Sequence, residues 1–77
     1  MVPTKTAHPL LKRVGTRLRR ARQAKGLSQE AVALAAGMDR SYVSGLERGE
    51  FNVSLLALAR LARVTGVRLA ELLDSDR

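Results

Sequence analysis

The chain has 77 residues and contains no cysteine and no tryptophan. Without cysteine there is no disulfide framework, no thiolate zinc site and no thiol nucleophile. Aromatic residues are confined to Tyr42 and Phe51, too few to build a stacking platform for single-stranded nucleic acid. The only histidine, His8, stands beside Pro9 in a polar stretch, where it reads as an arm residue and not as a ligand or a catalytic base. The longest unbroken apolar run is Ala31–Ala36, far short of a membrane span. The N-terminus lacks the apolar stretch of a secretory signal, which leads us to expect a cytoplasmic protein. No glycine-rich phosphate loop follows a strand pattern, and no carboxylate pair has acid–base spacing, so the chain does not read as an enzyme.

Acidic residues are scarce as well, and unevenly so. Fourteen Lys and Arg stand against seven Asp and Glu, for a formal net charge of +7. Residues 1–38 hold eight basic residues against one acidic, Glu30, whereas residues 39–77 hold six of each. Seven of the basic residues fall between Lys12 and Lys25. A one-sided positive field attracts nucleic acid, an anionic membrane surface or an acidic protein. By itself it is also what a solvated helix face with surplus arginine looks like. Apolar residues make up 45%, enough for one small core. A core of this size gives little stability, and with no disulfide available a metal or oligomerisation is the usual supplement.

The hydrophobic spacing predicts five short helices and no strand. Residues 1–8 read as a flexible arm, 9–73 as one domain and 74–77 as a polar tail. From Pro9, residues Leu11, Val14, Leu18 and Ala21 recur at helical spacing, with Gly15 a mild cost and Gly26 the stop. Ser28 caps a second helix in which Val32, Leu34 and Ala35 are expected to face the core, and Gly37 ends it. Asp39 caps a third helix running to about Arg48, with Val43 and Leu46 inward and Gly49 as its stop. Ser54 opens a fourth helix with the stripe Leu55, Leu58, Leu61 and Ala62, ended by Gly66, and Leu69, Leu72 and Leu73 mark the fifth.

The second and third helices, joined at Gly37-Met38-Asp39, have the outline of a helix-turn-helix. In such a pair the first helix sets its N-terminal N–H groups on a phosphate, and the second enters the major groove with its N-terminal residues first. Arginine can bind a guanine edge bidentately, and serine can bond to several bases or to phosphate, so Arg40 and Ser41 are the leading reading residues.

The segments Gly26-Leu27-Ser28-Gln29-Glu30, Gly37 to Ser44, Glu47-Arg48-Gly49 and Ser54-Leu55 resemble those of Cro/phage-repressor-like (XRE-type) helix-turn-helix regulators, over about Val14 to Leu73. Asp39–Leu55 looks like the small controller proteins of restriction–modification systems. The resemblance implies an all-α, five-helix bundle of the lambda-repressor-like type that binds double-stranded DNA as a transcriptional regulator. It implies base contacts from Arg40, Ser41, Ser44 and Gly45. It implies backbone contacts from Arg22, Ser28, Gln29, Tyr42, Arg48 and Asn52, and an Arg22–Glu47 salt bridge between helices one and three. Gly45 matches a base-facing position but has no side chain there, and Phe51 stands where controller proteins usually carry a basic residue. Val67, Leu69, Leu72 and Leu73 are the expected dimer surface. No metal or cofactor is implied.

A homodimer would place its two third helices in successive major grooves, about 34 Å apart, on a partly palindromic operator. RNA polymerase is a further candidate partner, and a membrane is not. The competing reading is a protein-interaction module on the same fold, such as an antitoxin or an anti-repressor, to which the bare Gly45 lends weight.

Overall fold

The computed structural model describes residues 8–74, so most of the expected N-terminal arm and the last three residues of the polar tail lie outside the described residues. The described residues form five helices: α1 (Pro9–Ala24), α2 (Gln29–Ala36), α3 (Arg40–Glu47), α4 (Leu55–Thr65) and α5 (Leu69–Leu73). The architecture is the all-α bundle expected. Helix α1 packs on α3, α4 and α5, α2 packs on α3 and α4, and α4 also meets α5.

The helix starts follow local chemistry. Ser28 Oγ accepts from the Ala31 N–H at 3.0 Å, and Ser54 Oγ accepts from the Ala57 N–H at 3.1 Å, each satisfying one orphan donor. Asp39 occupies the N-cap position of α3 without a side-chain capping bond. His8 is a correction to the arm reading: it is the N-cap of α1, and its Nδ1 accepts from the Leu10 N–H at 3.1 Å. Gly37 ends α2 at φ 71°, a left-handed turn that lets the Met38 N–H reach back to the Ala33 carbonyl at 2.8 Å. That turn fixes the angle between α2 and α3.

One contiguous core joins Val14 and Leu18 of α1 to Val32, Ala33 and Ala36 of α2, Val43 and Leu46 of α3, Leu58, Leu61 and Ala62 of α4, and Leu72 of α5. Leu34, Ala35 and Leu55, expected on the core face, are not in it. Leu34 is 84% exposed, its neighbour Ala35 is exposed, and Leu55 is 65% exposed. In α2 the core face belongs to Val32, Ala33 and Ala36, because small alanines let the helix approach closely where a leucine would hold it away. In α4 the buried phase begins one turn later, at Leu58, and continues through Leu61, Ala62 and Thr65. Thr65 is satisfied in the core, with its Oγ1 donating to the Leu61 carbonyl at 2.8 Å.

Gly15 is a second correction. It is buried, and a Cβ there would lie 2.5 Å from the carbonyl oxygens of both Leu46 and Glu47. The glycine is therefore the point where α1 touches the backbone of α3, and its helix-propensity cost is outweighed by that approach. Leu72 corrects part of the expected dimer surface: at 0% exposure it belongs to its own subunit's core. Leu73 is exposed, while Val67 and Leu69 are half-buried against the core.

Candidate nucleic-acid interface

Three helices are tied together at Glu47, the last residue of α3. Arg22 of α1 donates to it twice, Nε to Oε2 at 2.6 Å and Nη2 to Oε1 at 3.0 Å. Gln29 at the start of α2 donates its Nε2 to Oε1 at 3.0 Å. Arg22 also donates Nη1 to the Leu27 carbonyl at 2.9 Å, which holds the α1–α2 connection. The Arg22 and Glu47 side chains are only 12% and 3% exposed. The hydrogen bonds to Glu47 raise the pKa of the Arg22 guanidinium against the opposing effect of burial. Among the described residues, no buried side-chain nitrogen or oxygen lacks a partner. The expected salt bridge between α1 and α3 is thus present, and Gln29 braces α3 from the start of α2.

Arg40 and Ser41, in the first turn of α3, are exposed. One turn on, the half-buried Ser44 accepts from Arg48 Nη1. Tyr42 is half-buried, with its ring 5.1 Å from that of Phe51 and tilted at 39°. Asn52 is exposed beyond it. Gly45 is buried, and a Cβ on it would lie 2.6 Å from Phe51 Cε2. The missing side chain is therefore accounted for by packing: the Phe51 ring fills the space that a larger residue at position 45 would take. The aromatic residue that departs from the controller pattern and the glycine that lacks a reading side chain are two halves of one contact.

Arg19, Arg22, Gln29, Ser44, Glu47 and Arg48 line a cleft of about 250 Å³ between the end of α1, the start of α2 and the exposed side of α3. Three guanidinium groups and the α2 N-terminus face one carboxylate there, an arrangement that suits an anion such as a DNA phosphate. Arg19 is the member that sequence reasoning missed. Its spacing of three from Arg22 puts both on one helix face. Arg17, two residues earlier, has a structural task instead. Its Nη1 donates to the carbonyls of Glu71, at 3.0 Å, and of Asp74, closing the C-terminal end of α5 against α1.

Glu50 lies in the connection between α3 and α4. Its carboxylate meets Arg48 in a two-bond fork, with Nε to Oε2 at 2.6 Å and Nη2 to Oε1 at 3.1 Å. Hydrogen bonding raises the pKa of Arg48 and lowers that of Glu50. Among the described residues, no helix is long and apolar enough to cross a membrane.

Known proteins are similar to this chain in sequence and fold. The helix-turn-helix family profile matches residues 18–72. The crystal structure of the restriction–modification controller protein C.AhdI from Aeromonas hydrophila is 49% identical and superposes with a TM-score of 0.80, covering 84% of this chain and 98% of that one. The control protein C.MunI from a Mycoplasma species is 41% identical over 61 residues, 78% of this chain and 82% of that protein. The biofilm regulator SinR, solved in complex with DNA, is 35% identical with a TM-score of 0.75, over 79% of this chain and 98% of that one. With its α2–turn–α3 unit braced on Glu47, the chain belongs to the Cro/C1-type helix-turn-helix family of DNA-binding transcriptional regulators.

Proposed function

We propose that the chain is a homodimeric, sequence-specific regulator that reads a partly palindromic operator through α3 in the major groove, and that it serves as the controller protein of a restriction–modification system. The observation that carries this reading is the exposed start of α3, held in a fixed attitude by the Arg22–Glu47–Gln29 cluster. Arg40 and Ser41 reach base edges from that platform, and Ser44 stands one turn behind them. Gln29, Ser28 and Arg48 take phosphates around the cleft, with Arg19 added to the set and Arg22 serving mainly as the brace. Tyr42, within α3, and Asn52, beyond it, meet the DNA backbone. Likeness to C.AhdI and C.MunI supports the controller role, which implies control of an endonuclease gene and of the chain's own gene.

Dimerisation draws on the apolar residues that α4 and α5 leave outside the core. Leu55, Leu56 and Leu73 are exposed, and Leu56 is 76% so, which supports burial against a second copy. Leu69 and Val67 border that surface from within, and Leu72 is not part of it. RNA polymerase is a proposed partner once the dimer is seated on DNA. The interaction-module reading rested on the bare Gly45; since Phe51 accounts for that glycine, nothing now favours the module over DNA reading.

Selection of bound duplexes from a random-sequence pool, with the mass of the free protein measured in solution, tests the proposal. The expected result is a two-fold symmetric motif with half-sites about one helical turn apart, bound by a dimer. A pool with no enriched sequence would overturn specific reading, and a monomer at micromolar concentration would overturn the dimer.

A further inference from the structure

The end of α3 carries a residue whose position no reading role explains. Gly49, at φ 71°, turns the chain so that its own N–H returns to the Leu46 carbonyl at 3.0 Å and the Glu50 N–H returns to the Gly45 carbonyl at 3.1 Å. This six-residue closure is a Schellman motif. Gly49 is also pressed against α1, where a Cβ would lie 3.0 Å from the Lys12 backbone, so the turn is fixed from outside the helix. The turn brings Glu50 back alongside Gly45: its Oε1 lies 3.4 Å from where a Gly45 Cβ would be. Arg48 then holds the carboxylate by its two-bond fork and reaches Ser44 with its remaining terminal nitrogen. Ser44, Arg48 and Glu50 form one hydrogen-bonded group along the exposed side of α3.

An exposed acid beside a surface that must approach phosphates is an electrostatic cost, and one that sequence-independent binding does not recover. A carboxylate has only acceptor sites. Opposite guanine O6/N7 or thymine O4 it faces acceptors, and opposite an exocyclic amino group it gains a bond. The discrimination therefore lies as much in the penalty at wrong bases as in the gain at the right one. Arg48 keeps the carboxylate ionised, oriented and locally neutralised, so that it is tolerated near DNA.

We propose, on the strength of the DNA-reading function above, that Glu50 is a specificity-determining residue. It takes over the third reading position that Gly45 leaves without a side chain, and it selects cytosine or adenine on the strand it faces, whose exocyclic N4 or N6 amino group donates to the carboxylate, against guanine or thymine there. The pair is exposed, at 57% and 49% for the Arg48 and Glu50 side chains, so Glu50 can be replaced without disturbing the core.

The test is random-pool selection with the wild type, Glu50→Gln and Glu50→Ala, each first shown by thermal melting to fold as the wild type does. The wild-type motif should contain one position per half-site restricted to cytosine or adenine, and the selection itself distinguishes the two. Glu50→Ala should flatten that position by about 5- to 100-fold, and Glu50→Gln should move it toward adenine, which a side-chain amide reads with two bonds. Both variants should bind random duplex more tightly, since a negative charge is gone. Tighter random binding with an unchanged motif would overturn the proposal and leave Glu50 as a charge screen. If the wild type enriches no motif, the DNA-reading function falls and this inference with it; a wild-type motif that both variants keep overturns the inference alone.

Discussion

Glu47 and Arg48 are neighbours at the end of α3, and each is half of an arginine–glutamate pair. The inward pair, Arg22–Glu47, and the outward pair, Arg48–Glu50, close at the same 2.6 Å with the same two-bond fork. Their surroundings differ. The inward side chains are nearly sealed, and Gln29 and the Leu27 carbonyl complete the bonding, so that losing either partner strands a buried charge. The outward pair lies in solvent, where water and salt substitute readily for either partner. One register step along a helix thus separates a pair that holds three helices together from one that lies at the surface. Distance alone does not tell them apart; burial does.

The largest test of that contrast is Glu47→Ala. It should lower unfolding stability by about 3–5 kcal/mol in denaturant or thermal melts. Arg48→Ala should leave the melting temperature where it is; if the two variants melt alike, the contrast is broken.

Gly15→Ala sharpens the inward side. Helix propensity alone predicts a gain of about 0.5–1 kcal/mol. The new Cβ would instead meet the Leu46 and Glu47 carbonyls at 2.5 Å, and a loss of about 1–3 kcal/mol is expected from melting curves.

Arg40→Ala and Arg48→Ala sharpen the outward side. Arg40→Ala should weaken operator binding by about 1–3 kcal/mol and relax the preference at one base pair, with folding unchanged. Arg48→Ala should make the slope of log affinity against log salt shallower by about one unit, and, by releasing Glu50, relax the preference at the position Glu50 reads while leaving the Arg40 position as it is. Titrations at several salt concentrations against matched and scrambled duplexes distinguish these results. The smallest effect belongs to Leu34→Ala, which should change stability by no more than about 0.5 kcal/mol, as for other exposed positions. A loss of several kcal/mol in denaturant would restore Leu34 to the core.

Much of this was legible in the residues. The Ser28 and Ser54 caps, the Gly37 stop and the order of five helices follow from short-range chemistry, and all are found where that chemistry puts them. The Arg22–Glu47 bridge came from the family resemblance, since nothing in spacing alone pairs residues 25 positions apart. The phase of the short helices was not legible. In two turns, Ala33 and Leu34 are both apolar, and only the neighbour that covers one of them decides which is inside. Gly45 was legible as a gap but not as a packing partner of Phe51, because that contact depends on how the chain turns at Gly49.

The sequence by itself determined the class of the molecule: short capped helices, a tight glycine turn between two of them, and a positive first half suited to DNA. Those are properties of one residue and its near neighbours, and they need no fold to be read. Only the tertiary structure decided which glutamate is a brace and which is a surface acid, which leucines are core, and why positions 15 and 45 are glycine. Each of those depends on what lies across the gap from a side chain, and that distance is set by how five helices pack.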